Sequence, residues 1–532
     1  LSRKKSKTYR LLQLGRIFFQ TAFFLLFFIL LLQTRFPGED YIGNVEIFFH
    51  FDPLIALTTF FASRLIFPLF LFSIITLGMT LLLGRVFCGW VCPFGAIQQF
   101  FSFLFKKLKW LKIKTKSTFS PKAWKYYLLV FLLMASLLGL DLVGLFDPFS
   151  LLYRSFITSL LPALAYIFSA FISLVYQLHL FSLGDTLVQF YENLGVNPIF
   201  LQALGLGLLF IGIILLNLKK ERFWCRYLCP LGALLGIFSR WNRLKLKLDE
   251  DKCIKCSLCT LHCETDAVPY PREQWTITEC VYCFTCGAIC PTAAISFPFV
   301  LTPQRTAMVN LSRRKLLATA LLGALAVPFF RLSPARVRAS AKRIRPPGAL
   351  PEEQFLQKCV KCGECMKVCP TNGLQPAFTE AGPEGIWTPI LVPRIGHCEY
   401  YCTLCTQVCP TGAIQELRVE DKATVKIGSA WVDKNRCIPW KIGEPCIVCE
   451  EHCPVSPKAI KLVEITVRQS DGTIKTERAP FVELEQCTGC GICENKCPVV
   501  DQPAIYITSV GESRSETNQV LLQTTGTGSG PF

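Results

Sequence analysis

Two kinds of apolar pattern divide this chain. Up to about residue 240 the hydrophobic positions form long uninterrupted runs, and beyond it they fall in short alternating stretches punctuated by cysteines. Residues 11–32 are apolar almost throughout and follow a basic stretch at 2–7, a run long enough to cross a bilayer and too long for the core of a signal peptide. Residues 65–83, 125–140 and 200–218 share that character, so the pattern predicts four spanning helices. A further run at 156–180 is apolar enough to span, but residues 181–198 after it carry Asp185 and Glu192 and no Lys or Arg. That composition reads as an outer-face loop, and 156–180 as a re-entrant or interfacial element.

Charge gives the runs a direction. The net charge of +18 would by itself suit nucleic acid, but the basic residues flank apolar segments: Lys106, Lys107, Lys109, Lys112, Lys114, Lys116, Lys122 and Lys125 in one loop, Lys219, Lys220 and Arg222 after another. Positive-inside topology explains them, which makes the lipid bilayer, and not nucleic acid, the expected partner.

A repeat runs through the same region. Phe51-Asp52-Pro53-Leu54 precedes one copy, which ends Gly84-Arg85-Val86-Phe87-Cys88-Gly89-Trp90-Val91-Cys92-Pro93-Phe94-Gly95-Ala96. Phe146-Asp147-Pro148-Phe149 precedes the other, ending Arg222-Phe223-Trp224-Cys225-Arg226-Tyr227-Leu228-Cys229-Pro230-Leu231-Gly232-Ala233. Both copies run the same way, so a pseudo-two-fold along the membrane normal is expected, with 156–198 an insertion in the second. On helical backbone an i, i+4 spacing points both thiols one way, so Cys88, Cys92, Cys225 and Cys229 are expected to converge on one membrane redox site. Asp52 and Asp147 read as N-caps followed by Pro, and also as candidate proton acceptors.

Cysteine spacing decides the chemistry. Of 28 cysteines, 24 form six quartets. Cys253, Cys256, Cys259, Cys263 and Cys280, Cys283, Cys286, Cys290 each follow C-x2-C-x2-C-x3-C, the run that holds [4Fe–4S] clusters in two-cluster ferredoxins, where the fourth cysteine ligates the neighbouring cube. Exchange assigns Cys253, Cys256, Cys259 and Cys290 to one cluster, and Cys280, Cys283, Cys286 and Cys263 to the other. The remaining quartets are Cys359, Cys362, Cys365, Cys369; Cys398, Cys402, Cys405, Cys409; Cys437, Cys446, Cys449, Cys453; and Cys487, Cys490, Cys493, Cys497. A disulfide framework or structural zinc does not call for this spacing. No C-x2-C-H run is present for a covalent c-type haem, and no nicotinamide or flavin fingerprint is evident.

Between the ferredoxin regions, Ser312-Arg313-Arg314-Lys315-Leu316-Leu317 opens a short apolar stretch to Phe330, a twin-arginine-like export signature or stop-transfer anchor. Later segments read as hairpins, at 423–432 and at 464–481 around Ser470-Asp471-Gly472-Thr473. The expected organisation is a membrane domain over 1–245, a two-cluster ferredoxin over 246–300, an anchor helix and linker over 311–347, a four-cluster ferredoxin over 348–510 and a disordered tail over 511–532. The fold class is an α-helical membrane domain of four spanning helices in two repeats, plus a fifth short anchor helix, with two α+β ferredoxin-like domains.

Residues 1 to about 300, with their two C-x3-C-P repeats and the ferredoxin after them, resemble the NapH family of membrane-bound quinol dehydrogenase subunits. Residues 312 to about 510, with Arg313-Arg314, Trp387-Thr388-Pro389 and the stretched quartet begun by Cys437, resemble the NapG family of periplasmic ferredoxin-type subunits. The chain looks like a fusion of the two. The resemblance implies a multi-pass protein of the cytoplasmic membrane, its first ferredoxin cytoplasmic and its second outside. It would take electrons from the quinol pool, with a quinol substrate, through six [4Fe–4S] clusters to a periplasmic reductase or cytochrome; the likeness of Cys92-Pro93 to the ferredoxin closures at Cys290-Pro291 and Cys409-Pro410 adds a further cluster or a thiol–disulfide pair at the C-x3-C-P pairs. It also implies nested cysteine exchange in the outer domain, first quartet with last and second with third, although tandem pairing stays open. An electron donor for metalloenzyme maturation, or a carrier running outward from a cytoplasmic ferredoxin, fits the same residues.

Overall fold

The computed structural model describes residues 2–34, 46–65, 68–108, 121–194, 199–300, 309–331, 341–468, 472 and 474–519. It separates into two compact units, Leu1–Arg331 with Gln357–Glu364, and Leu332–Leu356 with Cys365–Phe532.

The first unit is largely helical: α1 (Ser2–Gln33), α2 (Pro53–Ser63), α3 (Phe72–Leu83), α4 (Pro93–Lys107), α5 (Trp124–Leu137), α6 (Pro148–Gln177), α7 (Phe181–Leu194), α8 (Ala203–Leu215), α9 (Pro230–Phe238) and α10 (Arg313–Arg331). Proline sets many of the starts. Pro53, Pro93, Pro148 and Pro230 occupy first-turn positions behind Asp52, Cys92, Asp147 and Cys229, where a missing N–H costs nothing. The four-span expectation changes here. Among the described residues only α1, over Thr8–Gln33, and α6 are long and apolar enough to cross a bilayer. The runs at 65–83, 125–140 and 200–218 yield shorter apolar helices: Pro68 opens a 3₁₀ turn in the first, and Gly139 at φ +86° follows the end of the second. Residues 156–177 of the segment at 156–180 lie in α6, which carries a π-helical turn at Phe156–Leu160. Residues 181–194 are helical too, so α6 and α7 form a hairpin closed by Phe168 stacking on Tyr191 and by Tyr176 Oη donating to Asp185.

Lys125 departs from the solvated lysine loop. It is fully buried at the start of α5 and pairs with Glu279, because Glu279 is itself sealed from water and needs a counter-charge. Lys109, Lys112, Lys114 and Lys116 lie outside the described residues. The ferredoxin at 253–290 packs in this same unit, closed by the antiparallel pair β1 (Lys247–Leu248) and β2 (Ile295–Ser296). Helix α10 runs alongside α5, with Ser312 N on Tyr127 Oη and Arg331 on Gly139 O.

The second unit is built from two-stranded sheets and cysteine loops: β3 (Leu374–Pro376) pairs with β4 (Pro389–Leu391), β5 (Ser429–Val432) with β8 (Ile505–Thr508), and β6 (Ile460–Arg468) with β7 (Ile474–Val482). The hairpin at 464–481 forms, with Gly472 at φ +87°; Ser470, Asp471 and Thr473 lie outside the described residues. The one expected at 423–432 does not, since β5 finds its hydrogen bonds across the domain on β8. In the tail from 511, Gly511 N donates to Asn518 O, and Arg514 forms a charge-assisted pair with Glu352 at 3.0 Å, contacts that hold residues 511–519; residues 520–532 lie outside the described residues.

Candidate iron–sulfur centres

Four of the six cysteine loops share one backbone device. The second and fourth residues after the leading cysteine are left-handed: Lys255 and Ser257 after Cys253, Tyr282 and Phe284 after Cys280, Lys361 and Gly363 after Cys359, Gly489 and Gly491 after Cys487. Positive φ is costly for a side chain such as Tyr or Phe. Alternating handedness turns successive N–H groups into one concavity, a nest that favours an anion. The thiols also accept backbone N–H donors: Ala267 to Cys263 at 3.2 Å, Ala294 to Cys290 at 3.3 Å, Ile414 to Cys409 and Ala504 to Cys497, both at 3.4 Å. An anionic cluster held by thiolates suits both features.

In the first unit, Cys280, Cys283 and Cys286 stand within electrostatic reach of Cys263, and Cys259 within reach of Cys290. In the second unit three cavities carry the pairing. Cys398, Cys402 and Cys405 share one with Cys369; Cys437, Cys446 and Cys449 share one with Cys497; Cys487, Cys490 and Cys493 share one with Cys453. These groupings are the ones tandem exchange calls for, second quartet with first and third with last, and differ from the nested expectation. Strand pairing explains them: β8 follows Cys497 and is drawn back onto β5, ahead of Cys437. Cys398 N donates to Cys490 O at 2.8 Å, so the two pairs meet at these loops. Among the described residues no three His, Cys, Asp or Glu side chains close on a single metal ion; thiols spread around an open centre are the donor set of a cube.

The four cysteines of the helical repeats converge, but by a different route from the one expected. Each pair is split between scaffolds: Cys88 and Cys225 lie in the short helices Val86–Trp90 and Phe223–Tyr227, while Cys92 and Cys229 are extended N-caps of α4 and α9. A helix cannot continue through the residue before proline, so i, i+4 geometry on one helix does not arise. All four nonetheless lie within electrostatic reach of one another. Cys92 Sγ accepts from Gly95 N at 3.4 Å and Cys229 Sγ from Gly232 N at 3.2 Å.

Two arginines cross over this site. Arg85, three residues before Cys88, lies so close to Gly232 that a Cβ there would stand 2.6 Å from its Nη2. Arg222, three before Cys225, lies equally against Gly95, with 3.0 Å to the same notional atom, and donates to Cys88 O at 3.0 Å. Each copy thus places its arginine beside the other copy's helix start. Both are buried, and their formal charge faces four thiols. Neither was singled out as a site residue, although equal offsets in the two repeats were the available signal.

This centre adjoins the ferredoxin loop of the same unit. Trp90 Nε1 donates to Tyr282 O at 3.1 Å, and a Cβ on Gly89 would stand 2.6 Å from Val281 O. Glu279, next to Cys280, accepts from Tyr126 Oη at 2.8 Å, lies 3.5 Å from Arg85 and pairs with Lys125.

Asp52 and Asp147 cap their helices: Asp52 accepts from Leu54 N at 2.7 Å and Ile55 N at 3.2 Å, and Asp147 from Ser150 N at 2.8 Å. Both are fully buried, and the two carboxyls lie within electrostatic reach of each other. Arg154, missed by sequence reasoning, reaches electrostatically to Asp147 and to Cys359 and Cys362, and donates to Lys361 O at 2.7 Å and Gly144 O at 3.0 Å.

The family described as a 4Fe-4S binding domain matches this chain twice, over residues 65–112 and 202–249, one match on each C-x3-C-P repeat. A 4Fe-4S dicluster domain matches residues 358–413, which cover the first two quartets of the later region. The methylamine utilization ferredoxin-type protein MauM of Methylorubrum extorquens is 38% identical over 177 residues, 32% of this chain and 74% of that protein. The ferredoxin-type protein NapG of Escherichia coli is 37% identical over 182 residues, 34% of this chain and 76% of that protein. MauM of Paracoccus denitrificans is 37% identical over 173 residues, 31% and 71% of the two chains. No solved structure matches.

Proposed function

We propose, from the premise that this chain belongs to the family of the NapG and MauM ferredoxin-type proteins, a membrane-bound wire that oxidises quinol and passes electrons outward through iron–sulfur clusters. Iron–sulfur, ferredoxin-type electron transfer is the chemistry of the family. Six [4Fe–4S] clusters sit in the 24 quartet cysteines, each cluster supplying one-electron storage. Tandem exchange then leaves Cys409 to complete the first quartet. A further redox centre, iron–sulfur or thiol–disulfide, uses Cys88, Cys92, Cys225 and Cys229. The N-terminal part acts as a NapH-like quinol dehydrogenase fused to the NapG-like part, with α1 and α6 as membrane spans, the ferredoxin at 253–290 cytoplasmic and the quartets from Cys359 outside.

The observation that carries this reading is continuity. Four thiols converge under two buried arginines, and the same core packs directly on the loop that begins at Cys280. The chain's own residues perform the remaining work. Arg85 and Arg222 balance thiolate charge; the helix core excludes water; Asp52 and Asp147 cap their helices at a buried point. The acceptor is a periplasmic reductase or cytochrome. Relatives named both NapG and methylamine-utilization MauM favour a general electron-delivery role over one tied to nitrate.

The test is anaerobic. Purified full-length protein mixed with a naphthoquinol should show cluster reduction in its visible bleaching and electron paramagnetic resonance. Reduction by a low-potential ferredoxin with none by quinol would turn the wire round, and reduction by neither would favour a maturation role.

A further inference from the structure

The two repeats have matching cysteines but unlike second helices. Counting from Cys92 and Cys229, copy one continues Ala96-Ile97-Gln98-Gln99-Phe100, copy two Ala233-Leu234-Leu235-Gly236-Ile237. In copy two the glycine lets α9 close onto its neighbours: a Cβ on Gly236 would stand 2.9 Å from Tyr126 Oη and 3.0 Å from Thr278 O. In copy one the corresponding face is left open. It forms one wall of a cavity of about 760 Å³, the other walls being α1, the π turn of α6 and α8.

This cavity has the make-up of a small-molecule site, being apolar with a few convergent polar groups. Phe24, Ile97, Phe156 and Phe210 supply the apolar lining. Gln20, on α1, lines it while only 8% exposed, and its Nε2 has no hydrogen-bond partner among the described residues. A buried amide N–H left unpaired is costly, so a ligand oxygen there recovers what the empty fold forgoes. The π turn Phe156–Leu160 puts both its ends on the wall, and π turns inside helices occur frequently at functional sites. Gln99, also on the wall, accepts from Arg16 at 3.2 Å and donates to Glu264 Oε1 at 3.1 Å; Glu264 follows Cys263 and lies 3.7 Å from both Arg16 and Arg222. A polar thread thus leads from the cavity to a ferredoxin cysteine and to an arginine over the four-thiol centre.

We infer that this cavity binds the isoprenoid quinol, its ring oxygens at Gln20 and Gln99 and its tail along the aromatic lining. The inference rests on the quinol reading above and gives it a place. Oxidation there releases two electrons and two protons: each electron reduces one [4Fe–4S]²⁺ cluster to [4Fe–4S]⁺, the protons pass to water at the partly exposed Glu264, and quinone leaves. The pocket belongs to copy one alone, because α9 has closed the equivalent face of copy two.

The probe is a short-chain naphthoquinone carrying a photoreactive azide, used on full-length protein in detergent with lipid. Label should fall within residues 17–24, 96–101 or 210–215, and excess unlabelled naphthoquinone, but not excess phospholipid, should displace it. Gln20→Leu should weaken binding about tenfold, the value of one hydrogen bond, with iron content unchanged. Ile211→Trp, at a wall position 47% exposed and so tolerant of bulk, should block it. Displacement by phospholipid alone would make the cavity a lipid groove, and unchanged binding in both variants would overturn the site. The two readings fail separately. If quinol still reduces the clusters at full rate in both variants, the pocket is wrong and the function stands. If quinone labels the pocket but quinol reduces nothing, the pocket stands and the function falls.

Discussion

The quartet cysteines and the four cysteines of the helical repeats solve one electrostatic problem in two ways. In the quartets the backbone carries the compensation: left-handed residues after Cys253, Cys280, Cys359 and Cys487 turn peptide N–H groups inward. In the helical repeats one peptide N–H reaches each of Cys92 and Cys229, and formal charge is added to it, Arg85 and Arg222, each on the partner copy's side. Peptide dipoles are local and independent of their neighbours. Buried guanidiniums are not, since each needs anions facing it, so the helical centre is tied to Glu264 and Glu279 and through them to the ferredoxin. The quartets are modular, and the helical centre is a junction.

Breaking the junction should therefore have the largest effect. Cys92→Ala and Cys229→Ala are each expected to lower quinol-dependent reduction of the outer clusters by roughly a hundredfold or more, as for a group without which a step cannot occur. Dithionite should still reduce the six quartet clusters. Stopped-flow bleaching at the cluster bands measures both, and near-normal quinol rates would reduce these thiols to packing.

The modules can be broken singly, and pairs of changes read the exchange. Cys453 and Cys487 serve one cavity in the tandem arrangement. Cys453→Ser with Cys487→Ser should then cost about four irons per chain, one cube, where nested exchange would cost about eight. Iron and acid-labile sulfide assays on anaerobic protein separate the two outcomes.

How much of this was legible in the sequence follows from the same division. Ligand spacing is local, so C-x2-C-x2-C-x3-C names its chemistry without a fold, and the repeat announced that four distant cysteines belong together. Proline and the N-cap carboxylates were equally plain at Asp52 and Asp147. Long-range choices were not. β5 could satisfy its N–H groups locally or on β8, and nothing within residues 423–432 tells which. Lys125 looks like its loop neighbours until Glu279 is seen opposite. The apolar runs at 65–83, 125–140 and 200–218 carried enough hydrophobicity for spans, but helix ends are set by Pro68, Gly139 and tertiary packing as well as by composition.

Glu279 is where the junction should yield as structure and not only as chemistry. Fully buried between Lys125, Arg85 and Tyr126, it leaves two unbalanced cations when neutralised. Glu279→Gln should cost about 3–5 kcal/mol, the range for breaking a buried pair, and expose residues 277–286 to hydrogen exchange. Lys125→Met with Glu279→Leu should recover much of that loss, while no recovery would place the effect in the cysteine loop itself.

The second unit has its own buried carboxylate, and it offers the mildest and most specific contrast. Burial alone would raise the Glu352 pKa, but Arg345 at 2.6 Å, with Arg343 and Arg514 at 3.6 and 3.0 Å, overrides it and holds the group at about 2. A depressed acid stabilises the fold above its unfolded value of 4.5, and the contribution is lost as pH falls toward 2. With the side chain still 17% exposed, solvent screening trims the contribution to about 2 kcal/mol at neutral pH. Glu352→Gln should lower urea stability by about that much at pH 7, and the gap should shrink by about half by pH 3. Acid damage to clusters affects both proteins alike, so the difference isolates the carboxylate. A gap unchanged by pH would mean that Glu352 acts through shape alone. Quinol-driven reduction of the ferredoxin at 253–290 should be untouched in this variant, because Glu352 anchors only its own unit, whereas Glu279→Gln should impair it.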